Sequence, residues 1–221
     1  MIAAMPLKTF LIATVVFLTA CASGPKPADW QLESKGAMDR AVAAYLEGNV
    51  RVEAAELARA RLEISSTGRA DLMARAELLS CASRVASLVF EPCAGFEKLR
   101  QDAPPAERTY ADYLANTLRP EDVNLLPKDQ QNMAQAHTNK LQLAIITIAD
   151  PLSRLVAAGT AFQAGLANPA LVQAAVDTAS SQGWRRPLLA WLGLQLKLAQ
   201  AAGNAPEAER LQRRIALTLN P

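Results

Sequence analysis

The chain has 221 residues, 51% of them hydrophobic and only 5% aromatic, with 23 basic against 21 acidic side chains for a formal net charge of +2. That length supports one domain with a real core, or two small ones packed together. Near-neutrality, with no basic stripe or acidic block, excludes recruitment by field alone, so no nucleic-acid partner is expected.

In chain order, the first element is the apolar run Phe10 to Leu18, which follows Lys8 and ends in small residues, the layout of a secretory signal peptide. The run is too short to cross ~30 Å of hydrocarbon, which takes ~20 apolar residues. It closes on Leu18-Thr19-Ala20-Cys21. These four residues resemble the lipobox of bacterial lipoproteins, in which Leu and two mostly small residues precede the Cys that becomes the acylated first residue. The resemblance implies removal of residues 1–20, lipid attachment at Cys21 and a membrane held through the acyl chains. Two or three chains give lasting anchorage where one is marginal. Ala22 and Ser23 lack the Asp that commonly marks inner-membrane retention in enteric-type bacteria, so the resemblance implies the periplasmic face of the outer membrane. Residues 21–28 are small or proline-rich and read as a tether, leaving residues 29–221 as a periplasmic domain.

From Asp29 onward Ala, Leu, Gln, Arg and Glu dominate and β-branched runs are nearly absent, which predicts an all-α fold. Helices are expected near 29–47, 50–65, 69–89, 93–101, 105–118, 128–149, 151–164, 169–182, 187–202 and 205–219. Starts are marked by Asp150-Pro151, Asn168-Pro169, Arg186-Pro187 and Asn204, because a capping side chain followed by a pre-set proline suits the first turn. Stops are marked by Gly48, Gly68, Gly165, Gly183 and Gly203. Ile145 to Ile148 lacks a turn-bounded partner and reads as a buried helix face. Short links predict antiparallel hairpins.

Within 69–89, Leu72, Ala76, Leu79 and Ala86 form one apolar stripe and Leu78, Cys81, Val85 and Leu88 another, so this helix must be sandwiched. In 128–149 the first half should be solvated and the second buried. Ala158, Ala161 and Gly165 line one face at helical spacing, inviting a close neighbour. Ala41 to Ala54, with Tyr45 and Gly48, and Leu192 to Pro221 resemble tetratricopeptide units. Tyr45 sits one residue too near its glycine, the last unit's first helix is a turn too long, and 69–182 shows no matching period. The expected architecture is therefore antiparallel helix hairpins, either tetratricopeptide-like or an irregular bundle.

Cys81 and Cys93 are left once Cys21 is acylated, and in an oxidising compartment they read either as a disulfide or as two buried thiols. A bridge requires the helix to end near Ser87, because an unbroken helix to Val89 sets Cys81 ~12 Å back along its axis. The spacing is not that of a metal site, and no metal or cofactor is expected. His137, the single histidine, has no partner one turn away and reads as an exposed polar residue. No nucleophile elbow, phosphate loop or Cys/His arrangement appears. Glu91 and Glu121-Asp122 are the carboxylates available for an acid/base pair on cell wall, but they read as solvated helix termini. Tyr110 and Tyr113 read as core anchors. Trp184-Arg185-Arg186 is the candidate interaction patch, set against packing of the arginine stems on a ring. The expectation is a non-catalytic docking or accessory role beside an envelope protein partner, against a cell-wall-active enzyme or a carrier of a small apolar ligand.

Overall fold

The computed structural model describes residues 27–136 and 140–219. All regular structure among these residues is helical. Helices α1 (Asp29–Glu47) and α2 (Val50–Ser65) are joined by Gly48 and Asn49, and the Asn49 side chain accepts the Val52 N–H at 3.2 Å to start α2. The ion pairs Glu33–Arg59 and Arg40–Glu56 run in opposite chain order and mark the pair as antiparallel. Helix α3 (Ala70–Ala86) packs against this hairpin with Leu72, Met73, Ala76 and Leu79, beside Met38, Leu57 and Ile64. Its opposite side supplies Leu78, Ala82 and Val85 to the main core. α3 is thus sandwiched, as its two stripes require. Ala86 lies with the main core and not with Leu72 and Ala76, because the last turn of α3 meets the buried Trp191, whose indole N–H donates to the Ala86 carbonyl at 3.0 Å.

Next come α4 (Ala94–Glu97), α5 (Pro105–Leu114), a 3₁₀ turn (Pro120–Leu125), α6 (Lys128–Ala134) and α7 (Leu141–Ile146). The single helix expected over 128–149 is therefore two short ones. A straight rod over that span is ~33 Å long, whereas α6 and α7 both fold back onto α8 (Pro151–Gln163), burying Met133 on one and Leu141 and Ile145 on the other. The Gln130 side chain ties α6 down, donating to the Ser153 carbonyl at 3.0 Å and accepting from the Tyr113 hydroxyl at 2.6 Å. The expected helix 93–101 shortens to the one turn of α4, and 105–118 stops at Leu114, where Asn116 at φ 58° reverses the chain.

α8, α9 (Pro169–Ser181), α10 (Arg185–Ala201) and α11 (Ala205–Leu219) then pack in sequence, each against the next. Asp150, Asn168 and Asn204 cap three of them, accepting the N–H groups of Ser153, Leu171 and Glu207. α10 begins two residues before Pro187, which sits in the first turn, where a missing N–H costs nothing. The close approach lies at Gly159, where a Cβ would run into the Val85 carbonyl oxygen of α3. Gly165 instead ends α8 at φ 73°. Among the described residues no helix is long and apolar enough to cross a membrane.

The two ends of the molecule meet at one point. Arg186, in the first turn of α10, donates to the Tyr45 carbonyl at 2.8 Å and lies over the Tyr45 ring, 4.2 Å from its centroid. Two arginines at the positive end of α10 oppose its dipole, but Arg186 meets the negative end of α1, where a cation is favoured, adding a second donor to the Tyr45 carbonyl that already accepts the Gly48 N–H.

Candidate functional site

An open groove of 790 Å³ lies between α2, α3, α5 and the segment 87–97. The hairpin geometry that stacks α2 antiparallel to α3 sets one side, and the chain leaving α3 forms the other. That exit is sharp: Leu88 adopts φ 58°, and the Val89 N–H reaches back to the Arg84 carbonyl at 3.0 Å, closing the helix in the manner usually left to glycine. Cys93 on the outgoing segment faces Cys81 on α3 at disulfide-bonding distance, with Cα atoms 5.9 Å apart. Helix α3 ends just before Ser87, as a bridge requires.

Leu57, Val85, Ala111 and Leu114 give the groove an apolar floor, and Phe90 stands at its edge, stacked on Phe162 at 6.1 Å. Phe162 meets Trp191 edge-on at 6.3 Å, so the groove wall is continuous with the core. Charged groups form the rim, mostly in pairs. Arg84 donates to Glu53 at 2.9 Å, to the Ser80 carbonyl at 3.0 Å and lies over the Tyr45 ring at 4.9 Å, joining α1, α2 and α3. Arg61 grips both oxygens of Glu77 at 2.6 and 2.9 Å. These carboxylates are buried while the guanidinium heads stay half in water, so each arginine neutralises a charge that water no longer solvates.

Hydrogen bonding from Arg100 holds the Glu97 carboxyl below its ordinary range, and bonding to Glu77 raises Arg61. Burial pushes the Tyr45 phenol up, against the opposing pull of Arg186 and Arg84. Glu91 stands exposed at the rim with no ion pair among the described residues. The Gln163 side-chain oxygen is buried beside the groove without a hydrogen-bond partner among the described residues.

Of the residues singled out from sequence, Cys21 and His137 lie outside the described residues. Cys81, Cys93 and Glu91 come together at the groove, whereas Glu121 and Asp122 sit across the molecule on the 3₁₀ turn, paired with Arg119. Trp184, Arg185 and Arg186 are all half-buried, and Arg186 is engaged inside the fold on Tyr45. Tyr113 is a core residue, its hydroxyl held by Gln130 and Thr160, while Tyr110 lines a second, smaller hollow. Among the described residues no group of three or more His, Cys, Asp or Glu is placed to hold a metal ion. Sequence reasoning missed the groove and the part of Arg84 and Phe90 in it. The one signal pointing there was the Cys81–Cys93 spacing, which demanded the turn that makes the wall. No protein-family profile, curated protein or solved structure matches this chain.

Proposed function

We propose that this chain is a lipid-anchored protein of the cell envelope, held at the outer membrane through Cys21, whose helical body docks a partner polypeptide without catalysing a reaction. One observation carries the docking role: the groove offers an apolar floor with an aromatic edge, ringed by carboxylates already engaged by arginine. Such a surface suits side-chain burial and polar framing, the two components of a peptide site. Glu53, Glu77 and Glu97 are paired with Arg84, Arg61 and Arg100, which leaves Glu91 as the carboxylate without an ion pair among the described residues, so the occupant is an apolar segment carrying a lysine or arginine beside Glu91. The anchorage is supported by the lipobox-like Leu18 to Cys21 and the short tether behind it.

The test places a photoreactive phenylalanine analogue at position 90 in the full chain, with a control at position 213 on the far side of α11. Irradiation of intact cells should give a discrete polypeptide adduct from position 90 alone, weakened by Glu91→Lys, and fatty-acid label should enter the wild type but not the Cys21→Ser form. Equal adducts from both positions overturn the docking role, and an unlabelled wild-type chain overturns the anchor.

A further inference from the structure

A second hollow, of 570 Å³, opens between α3, α5 and the end of the 3₁₀ turn and shares no lining residue with the groove. Its walls are Leu78, Leu79, Ala106, Leu125, Leu126 and Pro127. Leu78 and Leu126 form a buried floor, while Leu125 is 42% exposed at the mouth. The size lies within the ~300–1,000 Å³ typical of small-ligand pockets, and the lining is apolar, as such pockets are.

Two polar features qualify that lining. The Tyr110 side chain, half-buried and stacked on Tyr113 at 5.9 Å, has no hydrogen-bond partner for its hydroxyl among the described residues. Its neighbour differs: the Tyr113 hydroxyl is used twice. That phenol is not sealed from solvent, so its donor is open to an acceptor on a ligand that enters the hollow. Burial also pushes Tyr110 well above the ordinary tyrosine value, with the charge of Asp150 adding to the shift, so the group remains a donor. The second feature is the ion pair at the rim, where the Arg75 guanidinium donates from two nitrogens to one oxygen of the buried Glu107, at 3.0 and 2.5 Å. That guanidinium is already neutralised. With Glu107 and Asp150 both negative and only Arg75 positive, the surroundings oppose an anionic head group.

We infer that this hollow binds a hydrocarbon chain ending in a neutral acceptor, a fatty-acyl ester, with the carbonyl accepting a hydrogen bond from the Tyr110 hydroxyl and the chain lying on Leu78 and Leu126. The site stands apart from the groove and does not depend on the docking role. An acyl ester reaches it either as a free small molecule or as part of a phospholipid.

Calorimetric titration of the full chain with methyl octanoate, with monomeric dihexanoyl phosphatidylcholine and with octanoate separates these cases. At least one ester should bind saturably, with octanoate about tenfold weaker because its charge is left uncompensated. Tyr110→Phe, which keeps the ring, should weaken the ester about fivefold, the range of one hydrogen bond. Leu125→Asp, at an exposed position, should abolish binding, and Tyr113→Phe should leave affinity unchanged while lowering the melting temperature. Preference for methyl octanoate assigns a free ester and preference for the phospholipid assigns a lipid. Binding of neither ester, equal binding of octanoate, or an unchanged affinity in Tyr110→Phe at an unchanged melting temperature overturns the inference.

Discussion

Arg84 and Gly159 each join separate helices, one by reaching and the other by having nothing to put in the way. Arg84 satisfies the buried Glu53, accepts its own place over the Tyr45 ring and donates to the Ser80 carbonyl. Removing Arg84, whose own head stays partly wet, strands the buried Glu53 charge, so Arg84→Ala should cost about 2 kcal/mol, measured as the shift in urea unfolding free energy. Glu53→Gln with Arg84→Met together should cost less than the single change, because no charge is then left alone. At Gly159 an added methyl meets the Val85 carbonyl, and backbone cannot yield as a flexible side-chain tip does. Gly159→Ala gains ~1 kcal/mol of helix propensity and still should destabilise by about 1–3 kcal/mol, because α3 and α8 must part.

At the scale of elements, the segment 87–97 is the part whose position is most dependent on one covalent link. Apart from the Phe90–Phe162 stack and the short helix α4, it is fixed to α3 through Cys93. With the two sulfurs bonded, loop closure over a separation of 12 residues contributes about 3 kcal/mol. Reduction by a dithiol should lower the thermal midpoint and raise amide exchange first in residues 87–97, with α1 and α2 little changed, as read by hydrogen-exchange mass spectrometry. An equal rise throughout would show that the link supports the whole fold and not this wall.

Which elements the sequence revealed follows from where their ends are encoded. α1, α2 and α11 match their expected spans because Gly48, Asn49 and Asn204 settle the ends locally, through a left-handed turn or a side-chain acceptor. Nothing local ends α3: its last residues are Val85, Ala86 and Ser87, and the turn falls on Leu88, a residue whose side chain does not favour that conformation. Only the distance between two cysteines betrayed it. The break between α6 and α7 left no trace, since 128–149 contains neither glycine nor proline, and what divides it is the pull of α8 on Met133, Leu141 and Ile145. The groove was illegible for the same reason, being made by residues from five separate helices.

For the molecule as a whole, the charge pattern fixes a pH window. Arginine hydrogen bonds hold Glu56, Glu97 and Glu207 below their ordinary value of 4.5, and Asp71 is pulled down to about 2 by Arg69. A carboxyl depressed in the folded state contributes stability that is present above its unfolded value and is lost as pH falls through the folded one. Burial raises Tyr45, Tyr110 and Tyr113 above 10.0, and for these the contribution is present below the unfolded value and is lost as pH rises past it. The urea midpoint should therefore be flat between about pH 5 and 9, falling below 4.5 and again above 10. The acid limb should be shallow and salt-sensitive, because most of these pairs are exposed.

The bond from the Trp191 indole to the Ala86 carbonyl spans 105 residues, and that from Arg186 to the Tyr45 carbonyl spans 141. A polypeptide is made from its amino terminus, so the carbonyls of Tyr45 and Ala86 emerge long before the side chains that bond them. Until the tenth helix arrives, the first three helices have a bare flank. The nascent chain is most in need of a chaperone during that interval, and completion of the fold waits on its last quarter.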